Sequence, residues 1–249
     1  MRSRFSFSAV SFLFLLAIIA VASASAQDIF VTPVPNAPFT GVINVERSVV
    51  QRDGSVRNLR TIREIGRDSR GRIFNQYRTL LSPTDTSTPQ VVSVLLYDPQ
   101  TRTSTTIFPA RQMFSTGTVT RPPETQPPAL LDAATSGNSI PRNDFTKQED
   151  LGTRQMEGLA LHGVRETQTI PSDNNGAGKE IVVTDEYWYS ADLRINMVVK
   201  HNDPRTGSVT MTVTQVKRAE PDPVQLEIPE GYKPVGTRAE AGAKQEAGH

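Results

Sequence analysis

Ile195-Asn196-Met197-Val198-Val199-Lys200-His201-Asn202-Asp203-Pro204-Arg205-Thr206-Gly207-Ser208-Val209-Thr210-Met211-Thr212-Val213-Thr214 is the stretch that decides the fold. Its middle, Asp203–Gly207, is made of turn formers. On both sides of that turn the chain alternates. Over Asp192–His201, Leu193, Ile195, Met197 and Val199 fall on one side, with Arg194, Asn196 and Lys200 on the other. Over Ser208–Val216, Val209, Met211 and Val213 point inward while Thr210, Thr212 and Thr214 point outward. A period of two belongs to a strand with one buried face, so the stretch predicts an antiparallel hairpin.

The same signals extend outward from it. Thr40–Arg52 and Ser55–Arg67 read as strands joined by the turn Asp53-Gly54. Ser69-Arg70-Gly71 turns the chain into a strand over Arg72–Leu81. Gln90–Tyr97 holds the apolar run Val91-Val92-Ser93-Val94-Leu95-Leu96 and predicts a strand covered on both faces. Thr103–Phe108 follows the turn at Asp98-Pro99. Gln155–Thr169 reads as one long strand, and Lys179–Ser190 as its partner across the loop Ser172–Gly178. Four prolines in Arg121–Pro128 cannot donate to a ladder, so residues 115–128 are expected as an exposed excursion from one sheet. Ala129–Ala134 is expected as a short helix. The predicted class is mainly β, a curved antiparallel sheet with one or two short helices.

The N-terminus carries Arg2 and Arg4, the apolar run Ala9–Val21 and the small residues Ala22–Ala26. That order is a secretory signal, and the run is too short for a comfortable membrane span. Cleavage fits after Ala24 or Ala26, and we take the second. The expected organisation is a signal peptide over 1–26, a lead-in over 27–39, a β domain over 40–232 and a disordered tail over 233–249. The exported chain is expected in the periplasm or secreted beyond it, not spanning the membrane after cleavage.

Removing Arg2 and Arg4 takes the 27 basic side chains to 25, against 26 acidic ones. A near-neutral chain has no electrostatic footprint for nucleic acid. The chain has no cysteine, which excludes disulfides, thiol catalysis, thiolate metal sites and a lipidated cysteine. Charge is concentrated in residues 41–80, where nine arginines meet Glu46, Asp53, Glu64 and Asp68. Interleaved acids favour a solvated sheet face, and the other reading is a surface for anionic lipid or an acidic partner.

Catalytic motifs are missing. His162, His201 and His249 stand alone, in no metal-ligating spacing, and no nucleophile elbow occurs. Gly176-Ala177-Gly178-Lys179 approaches a phosphate loop, but Glu180 replaces the required hydroxyl residue. Asp173, Asn175 and Gly178 fit a calcium loop, but Ala177 and Thr184 occupy two ligand positions. Glu157, Glu166 and Glu186 show no spacing that marks an acid–base pair. The sequence predicts no metal, no cofactor and no enzyme.

Glu186–Leu193, Lys200–Gly207, Val216–Pro223 and Leu226-Glu227-Ile228-Pro229-Glu230-Gly231-Tyr232 carry a resemblance. Together they resemble the C-terminal half of a set of small secreted proteins of acidobacterial type. The order strand, Asp-Pro-Arg-x-Gly turn, strand, then Leu-x-Ile-Pro-x-Gly-Tyr is similar to the end of LolA-like periplasmic lipoprotein carriers. The resemblance covers residues 155–232 and, in meander pattern, 40–108. It implies an unclosed barrel whose concave side is plugged by short helices and holds acyl chains. The residues that would line that side are Trp188, Leu193, Ile195, Met197, Val199, Val209, Met211 and Val213. The same residues also fit a filled core. Two functions therefore stand. One is a non-catalytic periplasmic protein holding a lipid, lipoprotein or other apolar ligand on the concave face. The other is an envelope protein-protein interaction module that uses the arginine-rich first hairpins, with Arg57, Arg60 and Arg63.

Overall fold

Alternating sequence becomes strand wherever a turn former lets the chain double back. The computed structural model describes residues 28–119, 140–143, 145–174 and 178–235. Its strands are β1 (Phe39–Val50), β2 (Val56–Arg67), β3 (Ile73–Arg78), β4 (Val91–Asp98), β5 (Thr103–Phe108), β6 (Met113–Thr118), β7 (Ile140–Asn143), β8 (Thr146–Met156), β9 (Leu159–Ile170), β10 (Ile181–Ser190), β11 (Ile195–Asp203), β12 (Gly207–Lys217) and β13 (Lys233–Pro234). They form one sheet in the order β13-β6-β5-β4-β3-β2-β1-β12-β11-β10-β9-β8-β7. The sheet is curved, antiparallel and unclosed, except that β13 runs parallel to β6. Two meanders run outward in opposite directions from a central seam, where β1 pairs with β12. The helical segments among the described residues are three single 3₁₀ turns: Pro109–Arg111, Ser172–Asn174 and Pro223–Leu226.

Pleat and register sort the side chains onto two faces. Ile43 stands opposite Val213 and Arg63, and Val45 opposite Met211 and Thr61, so these share one face. The lead-in covers that face without joining the ladder. Ile29 and Val31 are fully buried in the same cluster as Ile43, Ile65 and Val213. Asp28 pairs with the buried Arg63. Arg67, also fully buried, donates to the carbonyls of Thr32 (2.6 Å) and Ala37 (2.8 Å) and lies over the Phe39 ring. Burial, joined by repulsion from Arg194, lowers the Arg67 guanidinium to about 10, so it stays charged at neutral pH. An extended segment thus takes the plugging place that the resemblance assigns to helices.

On the opposite face, Phe74 of β3, Leu96 of β4 and Ile107 of β5 form a smaller core. The chain's last described segment closes it, with Leu226 buried against the three and Tyr232 packed beside them. The Asp222 carboxylate caps the turn that carries Leu226 by accepting from the Val224 backbone N–H at 3.1 Å. The motif Leu226-x-Ile228-Pro229-x-Gly231-Tyr232 is therefore a clasp. It ends by laying β13 beside β6.

Several expectations are corrected. Residues 155–169 are not one strand: Glu157-Gly158, with φ of 51° and 72°, makes a tight turn between β8 and β9. Ser115–Thr118 is exposed as expected but is the end of strand β6, not loop. β4 lies between β3 and β5 but is not covered on both faces, since Val92 is 52% exposed. Lys233–Pro234, expected at the start of a disordered tail, pairs with Met113 and Phe114. The signal at 1–26, the prolines of 121–128, the helix at Ala129–Ala134 and the tail beyond 235 lie outside the described residues.

Candidate functional site

Past the end of the lead-in, the face that it covers stays open. A cleft of about 760 Å³ lies there, and none of its lining residues comes from the lead-in. Register explains its chemistry. One rung crosses six strands: Gln148 of β8, Glu166 of β9, Asp185 of β10, His201 of β11, Val209 of β12 and Arg47 of β1. Directly paired residues project from the same face, so these six share the lead-in face. The next rung inward, Tyr187–Val199–Met211–Val45, is apolar and begins the core. The cleft thus has a buried floor, with Val183, Tyr187 and Val209, and a polar wall.

The polar groups are tied down. His201 Nδ1 lies 2.8 Å from Asp185 Oδ1, and Gln148 Nε2 donates to Glu166 Oε2 at 3.2 Å. At the mouth, Arg205 grips Asp203 with Nε at 2.9 Å and Nη2 at 2.7 Å. Those hydrogen bonds lower the Asp203 carboxyl against the opposing effect of burial. Burial, helped by the Asp185 and Glu166 charges, pushes the Tyr187 phenol well above its usual range, so it is a neutral hydroxyl at physiological pH. Glu166 directly opposite Asp185 is a like-charge pair, which costs stability in a sheet. Among the described residues no group of three or more His, Asp or Glu is placed to hold a metal ion.

The eight residues read from sequence as a lining are all in one cluster, buried or packed against it. Val209 reaches the cleft. Met211 lies one rung behind, where Arg63 Nη2 donates to its sulfur at 3.5 Å. Val213 is fully buried under the seam. The β11 set does not keep its alternation. A bulge at Trp188/Tyr189 leaves Ile195 opposite Ser190 and Val199 opposite Tyr187, and all five residues Ile195–Val199 are buried, including Asn196. Leu193 lies in the preceding turn, where its N–H donates to Ser190 Oγ. Trp188 stands opposite Val198, hence on the other face from Val199. Its ring is stacked between Arg154, 3.9 Å away, and the Gly163 backbone, where an added Cβ would meet it at 2.7 Å. Its indole N–H donates to Glu186. His201 and Glu166 were weighed in the sequence and set aside, and Asp185 was passed over, because only the strand register brings the three together.

No family model matches the chain, and no curated protein matches it. Solved structures similar to it include MucB, at 15% identity over 78% of this chain and 58% of that one, with a TM-score of 0.35. The chain therefore spans little more than half of the MucB chain. A LolA superfamily protein from Nitrosomonas europaea is similar at 7% identity over 82% of this chain and 94% of that one, TM-score 0.31. LprF from Mycobacterium bovis follows at 13% identity over 75% and 90%, TM-score 0.28. At these identities and scores the likenesses carry no argument about ligand or activity. No described helix is long and apolar enough to cross a membrane.

Proposed function

We propose that the protein is a non-catalytic binding protein of the periplasm that holds an amphiphile in the cleft between β9, β10, β11, β12 and β1. The observation that carries this reading is the uncovered end of the lead-in face. There an apolar floor of Val183, Tyr187 and Val209 borders a polar rung, in a volume within the usual ligand-pocket range of roughly 300–1,000 Å³. The ligand's apolar part lies on the floor, at about 0.8 kcal/mol per CH₂ removed from water. Its polar part donates to Glu166 and Asp185, which relieves their repulsion. Of the eight sequence-selected residues, Val209 makes ligand contact, and the others on this face form the wall behind it. The export signal supports the periplasm as the working place, and the C-terminal pattern supports a place among small secreted proteins of acidobacterial type.

Native mass spectrometry of protein purified from an envelope fraction should show a retained small molecule. A fluorescent fatty-acyl probe should bind saturably and compete with it. Val209→Glu and Val183→Glu put a charge on the floor and should each weaken probe binding by about 10-fold or more with unchanged circular dichroism. A chain that is always recovered empty, and that takes up no probe saturably, would end this reading.

A further inference from the structure

The arginine excess of residues 41–80 is resolved by pairing. Glu64 is taken by Arg78 at 2.9 Å, and Asp68 by Arg72 at 2.7 Å with Arg70 at 4.0 Å. Arg63 pairs with Asp28, and Arg67 is held by carbonyls. What remains is the outer half of the β1–β2 hairpin. Arg47, Arg52 and Arg57 are exposed there, and no ion pair holds them among the described residues. Arg60 stands opposite Glu46 and also donates to the Asp85 carbonyl. The one acid near the tip, Asp53, spends its carboxylate inside the turn, accepting from the Ser55 N–H and hydroxyl.

The tip is also apolar. Val50 pairs with Val56, and Val56 is 59% exposed. β3 supports β2 only at Ile65–Arg67, and beyond the single Arg60–Leu81 bridge the strand Val56–Asn58 is a free edge. A projecting hairpin with unpaired arginines around the exposed Val56, backed by the half-buried Val50, suits a surface with anionic headgroups outside and hydrocarbon beneath.

We propose that this hairpin docks the protein on an anionic membrane surface, with Arg52 and Arg57 on headgroup phosphates and Val56 in the interface. Arg47, Ser48 and Val49 of the same hairpin also line the cleft, so docking brings the cleft mouth to the bilayer. The proposal stands apart from cleft binding: vesicle attachment is read without any cleft ligand.

Sedimentation of the purified chain with vesicles tests it. Vesicles of phosphatidylcholine with phosphatidylglycerol should carry the protein down at low salt, and vesicles of phosphatidylcholine alone should not. The attachment should vanish at about 1 M salt, where the screening length falls to about 3 Å. Arg52→Glu with Arg57→Glu should weaken it by about 10-fold or more, since each basic residue near such a surface counts. Arg47 is left unchanged in that variant because it lines the cleft. Val56→Asp should weaken attachment as well, and it keeps the test open if the double variant loses its melting transition. Absence of the wild-type chain from the anionic vesicles overturns the proposal. So do folded variants that bind as the wild type does, and so does arginine-dependent binding to a polyglutamate peptide in place of vesicles.

Discussion

Glu186 shows how much one side chain's neighbours decide. Burial alone would raise its carboxyl, but hydrogen bonds from Lys200, Trp188 and Arg165 outweigh that and hold it at about 2. Lys200 Nζ and Trp188 Nε1 each lie 2.8 Å from Oε1, and Arg165 Nη2 lies 3.0 Å from Oε2. The folded pKa lies below that of the free side chain, near 4.5. Its contribution is therefore complete above about pH 4.5 and is lost as pH falls toward 2. A shift of this size corresponds to about 3 kcal/mol at neutral pH, which solvent screening of the partly exposed Lys200 and Arg165 lowers to about 2 kcal/mol. Glu186→Gln should lower stability by up to that amount at pH 7, and the gap should close as pH approaches 2.5, in about the window where the wild type itself weakens. Urea titrations of both proteins across that range measure it, and a pH-independent gap would mean that the carboxylate's charge is not what matters. None of this was visible in the sequence. Glu186 and Trp188 are two residues apart and project from one face, but the partners come from β9 and β11.

Strands were legible and their coverings were not. The hairpin read from Asp53-Gly54 forms with ends within a residue or two of those expected, because a turn former between alternating runs has few other solutions. Val209, Met211 and Val213 keep their face for the same reason. The β11 alternation fails because a bulge adds a residue that no local pattern marks. The lead-in and the clasp escaped because neither is periodic. Proline-bearing segments with one or two apolar anchors look like linkers until a sheet face exists for them to cover. The clasp can be tested as an element. Among the described residues Leu226 is held by its docking in the cluster of Phe74, Leu96 and Ile107 and by its capped turn. Leu226→Ala should cost about 2–4 kcal/mol, within the range for a buried leucine. Amide hydrogen exchange should rise in β3–β6 and β13 while β9–β11 keep their protection. Equal loosening of both halves would show that the smaller core is not a separate layer.

At the scale of the whole molecule, the central question is how two meanders become one sheet. Every pairing within each meander joins strands that follow one another in the chain, except the β13–β6 closure. Among the described residues the β1–β12 seam is the one antiparallel pairing that joins the two halves, bringing Ile43 against Val213 and Val45 against Met211. Closing so long a loop costs entropy before any contact repays it, so local hairpins should form first and the seam last. Val213 is a clean probe, because it is fully buried and packs on the bare backbone of Gly41, where a Cβ would lie 3.1 Å from it. Val213→Ala should cost about 2 kcal/mol. If the seam closes after the folding barrier, nearly all of that cost appears as faster unfolding, with the folding rate almost unchanged. Val164→Ala, inside the β9–β10 hairpin opposite Tyr187, is the contrast. It should slow folding by a clearly larger share of its own cost. Folding and unfolding rates of the two variants across denaturant decide the order. A Val213 variant whose whole cost falls on the folding rate would instead make the seam the nucleus, with the meanders growing outward from it.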